Sequence, residues 1–220
     1  DVQKRLLMQA GVSVAKYRVI DDIKDIKSLR LRYPVFVKPA NMGSSVGVSK
    51  VVSDKLLVVS VKNAFKYDTK VLIEEAVEGR EIEVSVLGND DPVASMPGEV
   101  VPKGHDFYDY EAKYIDENGA ELVIPARDII KRKIKEIQGV AIMAFKALEC
   151  SGMARVDMFM KPSGQLVINE INTLPGFTSI SMYPKIWEAS GLSYAKLLER
   201  LIELALEKKK EKDKLKRSYG

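Results

Sequence analysis

The chain has 220 residues, 46% hydrophobic and 30% charged, which is enough apolar material for a buried core in one or two domains. No uncharged apolar run approaches the roughly 18 residues of a membrane-spanning helix, and the single cysteine, Cys150, can form no internal disulfide, which suits a reducing cytoplasm. The net charge of +4 resides in residues 207–217, where seven Lys/Arg face three Asp/Glu. With that segment set aside, 28 residues of each sign remain, so the body of the chain carries no bias toward nucleic acid.

The chain opens on Asp1-Val2-Gln3-Lys4-Arg5, with no apolar leader and no initiator Met, as expected of a sequence that starts partway through a longer protein. Residues 2–9 read as a short helix stopped by Gly11. The run Val35-Phe36-Val37 predicts a strand before Lys38-Pro39, and residues 41–47 a Gly/Ser-rich loop, after which residues 48–52 resume strand character. Residues 56–66 read as a helix. Strands are expected at 71–73 and 82–87, joined by the charged segment from Glu74 to Arg80. From 97 to 126 the sequence turns polar, aromatic and turn-rich, and a loop of that length usually serves as a lid or binding loop. Apolar residues from Ile130 to Leu148 recur at helical spacing, and Ser193 is placed to cap a last helix using Leu197, Leu198, Leu201, Ile202 and Ala205. Helices and strands mix without strict alternation, which predicts an α+β fold.

Residues 153–160 and 165–172 flank Lys161-Pro162-Ser163-Gly164 and predict a hairpin. If Met160 pairs with Gln165, then Arg155 lies opposite Glu170 with Asp157 diagonal to it. Asn172 then shares their face, together with Phe159, Leu166 and Ile168. Two carboxylates and an amide oxygen on one face are hard ligands suited to Mg²⁺, and an adjacent Arg155 can hold a phosphoryl group or an oxyanion. The same residues also fit a plain Arg–Glu cross-strand ion pair. The loop Asn41-Met42-Gly43-Ser44-Ser45-Val46-Gly47 can cradle phosphate through backbone N–H groups, with Lys38 as a point charge, or can be an ordinary turn. Gly176, in Leu174-Pro175-Gly176-Phe177, offers a backbone N–H to an oxyanion or simply marks a turn. His105, the one histidine, reads as surface.

Lys38, the loop NMGSSVGVSK, the segment VLIEEAVEGREIEV, the stretch FYDYEAKY and ARVDMFM…VINEINTLPGFTSISMYPKIWEASG occur in one order. Together they resemble the D-alanine–D-alanine ligases, ATP-grasp enzymes that join a carboxylate to an amine. The resemblance covers the chain up to its charged tail. It implies an ATP-grasp fold with two α+β subdomains around the nucleotide: 1–78 and 79–206, the second carrying a lid loop 97–126, then a charged tail 207–220. It implies ATP and two Mg²⁺ ions (or Mn²⁺) as cofactors, D-alanine as substrate and a homodimer in the full-length protein. Lys38 and Lys113 would meet ATP phosphates, with Ser44 and Ser45 covering the nucleotide and the first substrate. Glu74, Ala76 and Val77 would hold adenine, and Glu81 ribose. Tyr114 would pair with Ser44. Asp157, Glu170 and Asn172 would carry the metal, Arg155 and Gly176 would stabilise the tetrahedral intermediate, and Ser181 and Met182 would border the second amino-acid site. Tyr114 and Met182 fit D-alanine as second substrate, with D-serine or D-lactate ligases as near relations. A non-catalytic Mg-ATP-binding module is a further reading. The family's N-terminal domain and its Met-Asp-Lys lysine would precede Asp1. This 220-residue piece is therefore expected to bind nucleotide weakly and not to ligate.

Overall fold

Alternation of inward and outward side chains sorts the strands of this chain into two antiparallel sheets. The structure is a computed structural model, and it describes residues 1–103, 119–178 and 181–216. The smaller sheet has four strands in the order β1-β4-β2-β3: β1 (Tyr17–Ile20), β2 (Val35–Pro39), β3 (Ser49–Val51) and β4 (Val71–Glu75). In β2, Val35 and Val37 point inward with Ile73 and Val51, while Phe36 and Lys38 point the other way, as period-two patterning dictates. Helix α2 (Asp54–Ala64) buries Leu57, Val61 and Ala64 against that core, and a 3₁₀ turn (Ile23–Ser28) packs beside it.

The larger sheet runs β10-β9-β5-β7-β8, with β6 (Val93–Ala94) paired to β5. Its strands are β5 (Arg80–Gly88), β7 (Gly98–Pro102), β8 (Ala120–Val123), β9 (Gly152–Met160) and β10 (Leu166–Asn172). One face, made by Ile82, Val84, Val86, Ala154, Val156 and Met158, is covered by α3 (Lys131–Ala147) through Ile137, Ala141, Ala144 and Phe145. The other face changes character along its length. At one end Leu87 and Met153 are covered by α4 (Met182–Ala189) and α5 (Tyr194–Asp213), through Tyr183, Trp187, Leu197 and Leu204. At the other end the same face carries Glu81, Glu83 and Asp157. Helix α1 (Val2–Gln9) lies along the outer edge of β10. The Gln3 side chain donates to the Ile171 carbonyl (2.9 Å) and accepts from its N–H (3.2 Å), and Leu7 enters the core of the larger sheet. An edge strand that would otherwise expose its backbone is thereby covered.

The α+β expectation holds, and most predicted elements lie within two residues of their expected ends. The loop expected from 97 to 126 is shorter at both ends: β7 and β8 pair there, with Glu99 opposite Val123 and Val100 opposite Leu122. Val100 and Leu122 pack with Met182 and Ile186, and that burial outweighs the turn-rich composition nearby. Strand β1, the 3₁₀ turn and α4 had no counterpart among the predicted elements. No helix among the described residues is long and apolar enough to cross a membrane.

Candidate active site

A cleft of about 580 Å³ separates the outward face of the smaller sheet from the acidic end of the larger one. Phe36 and Lys38 reach it from β2, Ser44 and Ser45 from the Gly-rich loop, and Glu74, Ala76, Val77 and Glu81 from β4, β5 and their connection. Phe159, Asn169 and Glu170 close it from the hairpin. The connection passes close to the hairpin at Gly79, where a Cβ would stand 2.6 Å from the Met160 carbonyl oxygen. Only glycine fits that approach. Ser44 and Ser45 both hold positive φ (56° and 57°), a left-handed pair in the loop that faces the cleft. Such geometry costs side-chain-bearing residues energy and clusters at binding loops.

Glu74 is buried between two lysines. Its Oε1 lies 3.1 Å from Lys4 Nζ of α1 and its Oε2 lies 2.8 Å from Lys38 Nζ. Lys4 Nζ also donates to the Asn169 carbonyl (3.3 Å), and Lys38 Nζ donates to Asn169 Oδ1 (3.4 Å). Burial, reinforced by the charge of Lys38, pulls the Lys4 pKa below its ordinary value although Glu74 opposes the shift. The Glu74 carboxylate assigned to adenine by resemblance is thus engaged with cations in this structure. Lys38 is held at the cleft, where a phosphate can meet it.

The hairpin forms, but its register differs from the expected one. Met160 pairs with Leu166 rather than Gln165, and Ile168 pairs with Met158. Leu166 and Ile168 therefore turn into the core with Met158, and of the three apolar residues expected on the site face only Phe159 is there. The pairing then shifts at Asn169, so that Glu170 stands opposite Asp157 and Asn172 opposite Arg155. This β-bulge restores the acidic face and sends Asn169 toward both lysines.

On that face Arg155 donates from Nε and one Nη to the two oxygens of Asp157, both at 2.7 Å. Asn172 Nδ2 donates to Asp157 Oδ2 (3.0 Å) and to Glu170 Oε1 (3.5 Å). Burial alone would lower the Arg155 pKa, but Asp157, then Glu83 and Glu170, outweigh it and raise it further. Of the two readings left open in the sequence the ion pair is present, between Arg155 and Asp157 and with Glu83 rather than Glu170 as the cross-strand acid, and the carboxylates stay converged. Two carboxylates and one amide oxygen form the small set of hard donors that Mg²⁺ takes, with water and phosphate completing its shell. Asn172 presents its nitrogen to the acids here and would turn its amide to offer oxygen. Among the described residues no group of three or more His, Cys, Asp or Glu is arranged to hold a metal ion.

Gly176 lies where a Cβ would meet Ser181 Oγ at 3.0 Å, and Ser181 Oγ accepts from the Thr178 N–H at the same distance. Met182 is buried with Val100 and Ile186. Lys113, Tyr114 and His105 lie outside the described residues. Sequence reasoning missed Lys4, Glu83 and Asn169. The alternation of Glu81, Glu83 and Ser85 with Ile82, Val84 and Val86 did signal a polar strand face, whereas Lys4 and Asn169 acquire meaning only through long-range contacts.

The sequence model of one protein family, described as D-ala D-ala ligase C-terminus, matches residues 6–203. The chain belongs to that family. A D-alanine–D-alanine ligase of Oceanobacillus iheyensis is 54% identical over 224 residues, covering 99% of this chain and 61% of the relative. Among solved structures, the D-alanine–D-alanine ligase from Coxiella burnetii superposes with a TM-score of 0.85 at 40% identity, covering 97% of this chain and 58% of that one. The VanG D-Ala:D-Ser ligase from Enterococcus faecalis gives 0.82 at 39% identity, covering 92% and 60%. This member of the D-ala D-ala ligase C-terminus family thus spans about three fifths of the length of the proteins it matches.

Proposed function

We propose that this chain is the nucleotide- and metal-binding part of an ATP-dependent ligase that joins two D-alanines through a D-alanyl phosphate, for peptidoglycan precursor synthesis in the cytoplasm. The observation that carries the reading is the one cleft that gathers Lys38, Ser44 and Ser45 on one side and Glu170 on the other. The division into subdomains is proposed near residue 78, with α1 packed on the larger sheet. Full-length protein is proposed to be a homodimer.

Lys38 holds an ATP phosphate as a point charge, and the Ser44–Ser45 loop covers the nucleotide. Ala76 and Val77 offer backbone groups to adenine, and Glu81 a carboxylate to ribose. Asp157, Glu170 and Asn172 hold Mg²⁺ (two ions, or Mn²⁺), which when bound neutralises phosphate charge. Lys113 and Tyr114 act from the segment between β7 and β8. The carboxylate of one D-alanine attacks the γ-phosphorus of ATP and expels ADP, and the amine of the second attacks the resulting acyl phosphate, losing a proton and expelling phosphate. Arg155 and the Gly176 N–H steady the oxyanion of that second step. Ser181 and Met182 border the second amino acid.

The test is D-alanine-dependent phosphate release and dipeptide formation by the full-length chain, with D-serine as competitor. Equal yields of mixed and homogeneous dipeptide would move the reading to a D-alanine–D-serine ligase, the activity named for one of the structural neighbours. ATP binding with no phosphate release would leave only a Mg-ATP-binding module.

A further inference from the structure

Glu83 is buried in the middle of β5, directly opposite Asp157, and no role described above uses it. Its Oε2 lies 3.1 Å from Arg155 Nε. That nitrogen has one hydrogen, and it goes to Asp157 Oδ1 at 2.7 Å. Asp157 Oδ2 accepts from the Arg155 Nη and from Asn172. Both oxygens of Asp157 are therefore occupied, although the same carboxylate belongs to the proposed metal set. A carboxylate with at least three of its roughly four lone-pair sites taken, two of them by a guanidinium, offers a cation little unless that pair loosens. Arg155, with only a fifth of its side chain exposed, would then need another anion, because an uncompensated buried charge is heavily penalised. Glu83 is already at contact distance.

We propose that Glu83 is a positioning residue that takes over Arg155 when Asp157 turns to the metal, keeping the guanidinium aimed at the site. The inference rests on the metal-binding reading given above. It differs from a plain charge effect, in which Glu83 would simply add negative potential for any cation. In the takeover, the influence of Glu83 passes through Arg155 and disappears without it.

A double-mutant cycle on the full-length chain separates the two, using Mn²⁺ alone as probe and electron paramagnetic resonance to count the free ion. Glu83→Gln is expected to weaken Mn²⁺ binding about tenfold, as loss of a group that orients a metal ligand does. In the Arg155→Met background the same change should cost less than about twofold, because the competitor for Asp157 is gone. Equal weakening in both backgrounds, or none in either, overturns the inference while leaving the metal site in place. Absence of Mn²⁺ binding by the wild type overturns the metal reading as well. Should Arg155→Met not fold, a second readout needs only Glu83→Gln. Saturating Mg²⁺ should leave the Arg155 Nε–H resonance downfield, as for a carboxylate-bonded guanidinium, in the wild type and move it upfield in Glu83→Gln, and the same bound-state position in both proteins overturns the takeover.

Discussion

Lys4 and Lys38 share Glu74, and the three side chains do not contribute alike. Lys4 is the more deeply buried cation, and burial holds its pKa below the ordinary 10.5. Between the folded and unfolded values the unfolded chain binds more protons, so stability rises with pH across that window as Lys4 loses its charge. Lys4→Met should remove this rise in urea denaturation followed from pH 8 upward, with neutral-pH stability changed by about 1 kcal/mol or less, since an apolar isostere avoids the desolvation. Glu74→Gln should behave oppositely, leaving two lysines facing each other at a cost of about 3 kcal/mol. The role of Lys38 was readable beside the Gly-rich loop, whereas that of Lys4 is not legible locally. Lys4 sits in an ordinary-looking amphipathic helix, and only the fold brings it to β4 and β10.

Among the elements, the hairpin is the most instructive. Its turn, its two strands and the convergence of Arg155, Asp157, Glu170 and Asn172 were all readable from alternation. The pairing was not, because a bulge has no signature in alternation: Leu166 and Ile168 obey one phase, Glu170 and Asn172 the other, and Asn169 lies between. Helix α3 was readable because Ile137, Ala141, Ala144 and Phe145 repeat at 3.6-residue spacing. Asn169→Gly should keep the bulge and cost about 1 kcal/mol for the lost Lys38 hydrogen bond. Deleting Asn169 should close the bulge into regular pairing with Glu170 still opposite Asp157 and Asn172 opposite Arg155, at a similar cost of about 1 kcal/mol. Urea unfolding of the two variants checks this, and a loss above about 3 kcal/mol on deletion alone would overturn the register argument.

At the scale of the whole molecule, two sheets with separate cores face each other across a cleft, and direct ties among the described residues join them. The Lys4–Glu74–Lys38 group and the close approach of Gly79 to Met160 are among them. A nucleotide held by both sheets should stabilise them together, by about 2.7 kcal/mol at a hundredfold excess over its Kd. Thermal melts of the full-length chain against Mg-ATP concentration measure this. A Tm unmoved by saturating Mg-ATP would refute the cleft as the nucleotide site. The joint order of motifs made this architecture legible, whereas the attachment of α1 to the larger sheet, through Gln3 and Leu7, depends on contacts some 160 residues away.

The extra residue at Asn169 works like a compensated frameshift. Upstream of it β10 is read in the phase that feeds the core, downstream in the phase that faces the cleft, and a single position switches one message to the other. Sequence design that paired Asn169 into a regular ladder would turn Glu170 and Asn172 toward the core and silence the strand's chemistry. Single-residue gaps placed here in an alignment of relatives would misassign the carboxylate rather than merely shift it.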